Sequence, residues 1–347
     1  MESQKLKELD RVFRQHGIEA EDTFKVISAY YLNVHKPSDV SSLLEQFWIE
    51  GNSILERITN DNIAIQTLEY TVAFDYYGEC LPIIYQFFLG KRFRDLSGKF
   101  FTPKNLAKFM VKMLPIKSNV SIMDPTCGGG TFLIEASKRW NNCSCRLIGN
   151  DVDRMLVALS ETLILINKNP NHNAVFFNDN IFDVPKAQKQ FFETIDYIIA
   201  NPPFSLPIES FEVTSNLFKL GYRNSDALFI DLCWKYLKPS GLLVCLLPHS
   251  IITNKEYEKL RLEIEKFWEI AAIIVMPEGV FNTTSNTTTR ADIVFLRKQS
   301  DLKNVSRIVF ANISDIKHLN YDTNLFIEHY SELSNIISDF ETNYVKN

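Results

Sequence analysis

The sequence has no long apolar run. Hydrophobic residues make up 46% of its 347 positions, yet none of their runs reaches the ~18 residues of a membrane-crossing helix. The start, Met1-Glu2-Ser3-Gln4-Lys5, lacks the apolar core of a signal peptide, so an intracellular, cytoplasmic protein is expected. Cysteines are few and scattered: Cys80, Cys127, Cys143, Cys145, Cys233 and Cys245. Only Cys143 and Cys145 stand close, at a spacing unlike a zinc knuckle or a thioredoxin motif. Reduced, structural thiols are expected. The histidines show no HExxH or comparable spacing, so no metal is expected. Repeats and low-complexity segments are also missing. The polar stretch 282–289 reads as a mobile loop.

The net charge of −5 argues against indiscriminate nucleic-acid binding. It leaves room for one local basic patch. Lys91, Arg92, Arg94, Lys99, Lys104, Lys108, Lys112 and Lys117 are opposed by Asp95 alone. Lys104, Lys108 and Lys112 recur at helical spacing, with Leu106, Phe109, Met110 and Met113 on the opposite side. Such a stripe is either a solvated face or a phosphate contact, and composition does not choose between them.

Residues 1–95 read as an all-helical N-terminal domain. Leu6, Leu9, Val12 and Phe13 have helical spacing, as do Val26, Ile27, Tyr30 and Tyr31. A further helical stretch over about 61–89 carries Tyr70, Phe74, Tyr76, Tyr77, Tyr85, Phe87 and Phe88, read as core. From about 118 the texture becomes short apolar runs alternating with helical patterns. Strands are expected at Val120–Met123, Arg146–Asn150, Ala174–Phe177, Ile195–Ala200, Leu242–Leu247, Ala271–Val275 and Ile293–Leu296. Helices are expected at 131–140, 153–168, 225–238 and 254–268. This alternation predicts a seven-stranded, mostly parallel, doubly wound α/β sheet over 96–299, with an antiparallel hairpin at its edge. The tail 300–347 holds one apolar run, Ile308–Phe310, and a helical pattern over about 325–340.

Polar residues gather at the ends of the expected strands. The first ends in DPTCGGGTFLIEA, from Asp124 to Ala136. Glycines at a strand-to-helix turn let a ligand approach the backbone at a helix N-terminus. The pattern is neither GxGxxG nor a P-loop, and an acid precedes the glycines. A carboxylate there repels a pyrophosphate and attracts an amino group or a sulfonium. The second strand ends in Asp151, placed to take ribose hydroxyls or to cap a helix. The third ends near Asp179. The fourth, Ile195–Ala200, ends in ANPPFS, where two prolines stop the ladder at Asn201. Four polar strand ends on one edge mark a ligand crevice.

These motifs resemble class I methyltransferases that bind S-adenosylmethionine, specifically the amino-group enzymes with an Asn-Pro-Pro-Phe/Tyr motif. Among them the chain is most similar to N6-adenine DNA methylases of the type I modification-subunit kind. GKFFTP (Gly98–Pro103), DPTCGGGTFL, LKPSGLLVCLLPHSIIT and MPEGVF all resemble stretches of that family, over about 70–298. The resemblance implies that Phe101, Thr102 and Pro103 line the methionine end of the cofactor. It implies that Asp124, Pro125, Cys127, Gly128 and Gly130 wrap the methionine and ribose. Asp151 would take the ribose hydroxyls, and Asp179 would face the adenine amino group. Asn201, Pro202, Pro203 and Phe204 would form the catalytic loop. Lys91, Arg92, Arg94, Lys104, Lys108 and Lys112 would touch DNA phosphates. A tail as short as 300–347 is not expected to hold a target-recognition domain. A separate specificity subunit is therefore expected on double-stranded DNA, with a restriction subunit as a further partner and no membrane. The alternatives are a methyltransferase acting on RNA guanine N2 or protein glutamine, or a catalytically silent subunit that binds DNA or a partner.

Overall fold

The computed structural model describes residues 3–35, 40–73, 75, 77–94, 101–167, 169–183, 187–209, 216–278, 290–299 and 309–312. The side chains of Lys91, Arg92 and Arg94, residues 98–100 of the GKFFTP motif, the 282–289 stretch and the 325–340 helical pattern lie outside the described residues. The chain forms two compact units.

The first unit holds Met1–Ser97, Gly128–Gly130 and Asp153–Pro170. Its helices are α1 (Ser3–Gln15), α2 (Ala20–His35), α3 (Val40–Gln46), α4 (Ile49–Ile58), α5 (Asn62–Val72) and α6 (Leu81–Arg94). Leu6, Leu9, Val12 and Phe13 of α1 are buried, as the 3.6-residue spacing requires. Trp48 is buried too and donates its indole N–H to Thr162 Oγ1 at 2.8 Å. The stretch expected as one helix over 61–89 is two. Asp75 breaks it, because its carboxylate accepts the backbone N–H groups of Glu79 and Cys80 at 3.0 and 2.6 Å. The aromatic stripe is not all core. Tyr85 is buried, but Tyr70, Tyr77 and Phe87 are exposed. Breaking the helix changes its phase, so residues that would share one face of a continuous helix do not.

The second unit contains α7 (Lys104–Lys112), β1 (Val120–Asp124), α8 (Thr131–Arg139) and β2 (Cys145–Asn150). The chain then runs through α9 (Arg154–Ile166), which belongs to the first unit, to β3 (His172–Phe177) and β4 (Ile195–Ala200). It continues through α10 (Asn216–Lys219), α11 (Ser225–Tyr236), β5 (Leu237–Pro248), α12 (His249–Thr253) and α13 (Glu258–Phe267). It closes with β6 (Trp268–Val275), β7 (Ala291–Lys298) and β8 (Val309–Asn312).

All the strands join one sheet, in the order β3-β2-β1-β4-β5-β7-β6-β8. The first five in that order are parallel, and β7 runs antiparallel to both β5 and β6. The seven expected strands are present. An eighth, β8 from the tail, pairs parallel to β6 and covers the hairpin's outer edge. Central strands are apolar throughout because both faces are covered. Every residue of β1 is buried, as is Gly241–Pro248 of β5. One core face packs Met123, Ile198 and Leu243 of the sheet against Leu228, Phe229 and Leu232 of α11 and Leu260 of α13.

The chain leaves β1 toward β2 and β3, then returns to β1's other side as β4. That reversal is a topological switch point, which opens a crevice at the carboxyl ends of β1 and β4.

Candidate active site

Strand register places the polar residues at that edge. Met123 lies opposite Ile198, so the end of β1 stands beside the end of β4. Asp124 lies opposite Gly149, and Asn150 lies opposite Phe177. Asp124, Asp151, Asp179 and Asn201 therefore share one edge of the sheet, each at or just beyond a strand end.

Asp124 is almost fully buried, at 1% exposure. Its Oδ1 accepts the Thr126 backbone N–H at 3.1 Å. Its Oδ2 is buried with no hydrogen-bond partner. Burial pushes this carboxyl well above the usual carboxylate range, and the Asp151 charge adds to the effect. A buried acceptor without a donor is costly, so the position calls for a cationic or hydrogen-donating ligand. The donor set fits the ammonium group of S-adenosylmethionine.

The turn after β1 is pinned by Asn150, which the sequence reading passed over in favour of Asp151. Asn150 is 1% exposed. Its side-chain amide donates to the carbonyls of Pro125 (3.0 Å) and Asp179 (3.1 Å). Its backbone carbonyl accepts the Cys127 N–H at 2.8 Å. Gln188, also buried, donates to Asn150 Oδ1 (2.9 Å) and Asp179 Oδ2 (3.0 Å), and Tyr236 donates to Gln188 Oε1 (3.1 Å). One amide thus ties together the ends of β1 and β2 and the loop after β3. The turn itself needs glycine at two positions. Gly128 and Gly130 have φ of 51° and 80°, and a Cβ on Gly130 would meet Ser160 Oγ at 2.4 Å. Asp151 is nearly buried and is followed by Val152, whose side chain is exposed. Its backbone carbonyl accepts the Asn178 amide at 2.9 Å.

Beyond β4 the Asn201 side-chain amide donates to Thr102 Oγ1 at 3.2 Å. That bond joins the Phe-Thr-Pro motif to the Asn-Pro-Pro-Phe motif. Phe101, Pro103, Pro202 and Phe204 are buried, and Pro203 is half-buried. On α7, Lys104 and Lys108 are exposed and Lys112 is half-buried, while Leu106, Phe109, Met110 and Met113 are buried. The amphipathic pattern is realised, and α7 packs on α8. Among the described residues no three His, Cys, Asp or Glu side chains gather in a metal-holding group. Among them, too, no helix is long and apolar enough to cross a membrane.

The strand order, the switch point and the acids at its edge define a class I S-adenosylmethionine-dependent methyltransferase fold. Solved structures share it, among them the following two. One is a Listeria monocytogenes protein described as a class I S-adenosylmethionine-dependent methyltransferase, with TM-score 0.59, 20% identity, and coverage of 92% of this chain and 98% of that one. The other is the type I restriction-modification methyltransferase subunit of Streptococcus thermophilus, with TM-score 0.61, 18% identity, and coverage of 95% and 78%.

Residues 78–343 match the N-6 DNA Methylase family, and the chain belongs to it. It is 30% identical over 187 residues to the type II methyltransferase M.VspI of Vibrio sp. (strain 343), which is 53% of this chain and 45% of that protein. It is 25% identical over 260 residues to the methylase subunit of the type I restriction enzyme MjaVII of Methanocaldococcus jannaschii, which is 70% of this chain and 43% of that one. The chain spans under half the length of these curated relatives.

Proposed function

We propose that the chain transfers a methyl group from S-adenosylmethionine to N6 of adenine in DNA. It acts as a modification subunit that takes its sequence choice from a separate specificity subunit, with a restriction subunit as a further partner. The observation that carries this is the Asn201 amide, anchored by its NH₂ to Thr102 on the edge that also holds the unpartnered Asp124 oxygen.

When bound, the cofactor supplies an electrophilic methyl carbon on a sulfonium. Asp124 would accept its ammonium group, Asp151 its ribose hydroxyls and Asp179 its adenine amino group. Phe101, Thr102 and Pro103 would line its methionine end, and Pro125, Cys127, Gly128 and Gly130 would wrap it. The lone pair of adenine N6 is delocalised into the ring, so the nitrogen is a weak nucleophile. Asn201 Oδ1 and the Pro202 carbonyl each accept one N6 hydrogen, which localises the lone pair and aims it. Acceptors on a proline-stiffened loop need no reorganisation. Phe204 stacks on the base, which must leave the duplex to reach them. Family membership and the relatives' names support DNA as the substrate. The basic stripe on α7 suits phosphate contact.

The test gives the full chain methyl-labelled S-adenosylmethionine and mixed-sequence double-stranded DNA, then digests the DNA to nucleosides. Label in N6-methyladenine, absent with Asn201→Ala, supports the methyl-transfer chemistry and overturns the need for a separate specificity subunit; no label with the cofactor still bound is the outcome the separate subunit predicts. Label in another nucleoside, in RNA or in protein glutamine overturns the methyl-transfer assignment.

A further inference from the structure

Two prolines in the catalytic-loop motif remove two backbone donors. Between Asn201 and Leu206 only Phe204 and Ser205 keep a backbone N–H. Two of the bonds that hold the loop, one through a carbonyl and one through an N–H, go to consecutive residues of α11. Ser225 Oγ donates to the Pro203 carbonyl at 2.6 Å. The same hydroxyl accepts the Leu206 N–H at 3.1 Å. Asp226 Oδ2 accepts the Ser205 N–H at 2.9 Å. Two backbone bonds extend the attachment, Ser225 N–H to Leu206 O at 2.8 Å and Ile208 N–H to Arg223 O at 2.7 Å. Ser225 and Asp226 are both at 0% exposure.

We propose that Ser225 and Asp226 are positioning residues that set the Asn201–Phe204 loop for methyl transfer, by gripping its far end, from Pro203 to Leu206, while Thr102 holds Asn201. This rests on the methyl-transfer assignment above. Two further observations favour it. Ser205 adopts φ of 54°, a left-handed conformation that is strained for a residue other than glycine. The chain turns there, at the residue whose amide Asp226 holds. Asp226 is also an expensive way to fill space. Its Oδ1 is buried with no hydrogen-bond partner, and burial raises the carboxyl to about 6. An apolar side chain would pack more cheaply but could not accept the Ser205 amide. Ionisable groups that cost stability in this way cluster at functional sites.

The experiment uses the full chain and its Ser225→Ala, Asp226→Ala and Asp226→Asn variants. It measures hydrogen exchange at the Ser205 and Leu206 amides, S-adenosylmethionine affinity, and single-turnover methylation of double-stranded DNA. Asp226→Ala is expected to unprotect the Ser205 amide and lower the transfer rate about 10²-fold, because an ångström of misplacement costs that much. Ser225→Ala should unprotect the Leu206 amide and slow transfer in the same direction. Cofactor affinity should stay within about twofold, which separates a displaced loop from a damaged fold. Asp226→Asn retains an acceptor oxygen and should recover most of the rate. Wild-type transfer by Asp226→Ala, or unchanged exchange at Ser205, overturns the proposal. If Asp226→Ala does not fold, Ser225→Ala lacks only a hydroxyl and decides by the same readouts. If the wild-type chain binds S-adenosylmethionine but methylates no DNA, the absent specificity subunit accounts for the silence, and the exchange data decide whether these two residues fix the loop; if it binds no cofactor either, the methyl-transfer assignment fails.

Discussion

Thr102 and Asn201 are 99 positions apart in the chain, and the hydroxyl of one accepts the amide N–H of the other at 3.2 Å. An amide has a donor half and an acceptor half. The bond to Thr102 sets the direction of the NH₂, and the transfer proposed above needs the oxygen turned to an adenine amino group. Without that anchor the amide can rotate, and a donor facing N6 would oppose the reaction. Thr102→Val keeps the shape and deletes the hydroxyl. It should lower the transfer rate by roughly tenfold or more, since orientation is what it removes. Thr102→Ser should retain most of the rate. Single-turnover methylation at saturating cofactor checks both, and equal rates for Thr102→Val and wild type would reject the anchor.

Asp124 predicts how cofactor binding depends on pH. In the free protein its carboxyl is held well above the usual range, first by burial and then by the Asp151 charge. A cationic ligand beside it favours the ionised form and so lowers its pKa. Binding therefore releases a proton wherever free Asp124 is still protonated. Affinity for S-adenosylmethionine should rise with pH across that range and level off above it. Calorimetry in two buffers of different ionisation enthalpy reads the released proton directly. Asp124→Asn should abolish the release and weaken binding, because an amide supplies no charge for the ammonium.

The strands were legible in the sequence because each is a short apolar run cut off by polar or turn residues, as Ile195–Ala200 is by Asn201-Pro202. The acids at the strand ends were legible for the same reason. What pins them was not. Asn150 reads as one more polar residue in IGND, and Gln188 lies in a segment with no pattern at all. Their roles arise from partners such as Pro125 and Tyr236, which are close only after folding. Ser225 and Asp226 read as the first turn of a helix, and the helix hides their second task. The sheet's eighth strand was visible as the run Ile308–Phe310. Its place beside β6 depends on which edge the hairpin leaves open, and local periodicity carries no such information.

Asp226 also makes a prediction for stability. Its folded-state pKa of about 6 lies above the ordinary carboxylate value, chiefly through burial. The folded protein therefore binds this proton more tightly than the unfolded chain. The associated stabilisation is full below about pH 4 and is lost as pH rises through about 6. Over that window it amounts to about 3 kcal/mol. Two groups that feel the Asp226 charge, Cys245 of β5 and Tyr257, are pushed upward mainly by burial and stay neutral there. Asp226→Asn should cancel the dependence. Thermal melts from pH 7 to pH 5 should show wild type gaining on the variant as pH falls. Parallel curves would mean that the carboxyl titrates normally.

The lysines of α7 separate phosphate contact from a solvated face. Their helix buries Leu106, Phe109 and Met110, so its basic side is fixed in direction by the core behind it. If Lys104, Lys108 and Lys112 meet the DNA backbone, replacing one by Gln removes one released counterion. The slope of log affinity against log salt should then shrink by about 1 for each residue. Binding should weaken evenly across DNA sequences, because phosphates carry no sequence information. Cofactor affinity should not change, since none of the three belongs to the turn around Asp124. Fluorescence anisotropy with a labelled duplex at several salt concentrations measures the slope. An unchanged slope in the triple Gln variant would make the stripe a solvated face and move the search for the DNA path to other surfaces of the second unit.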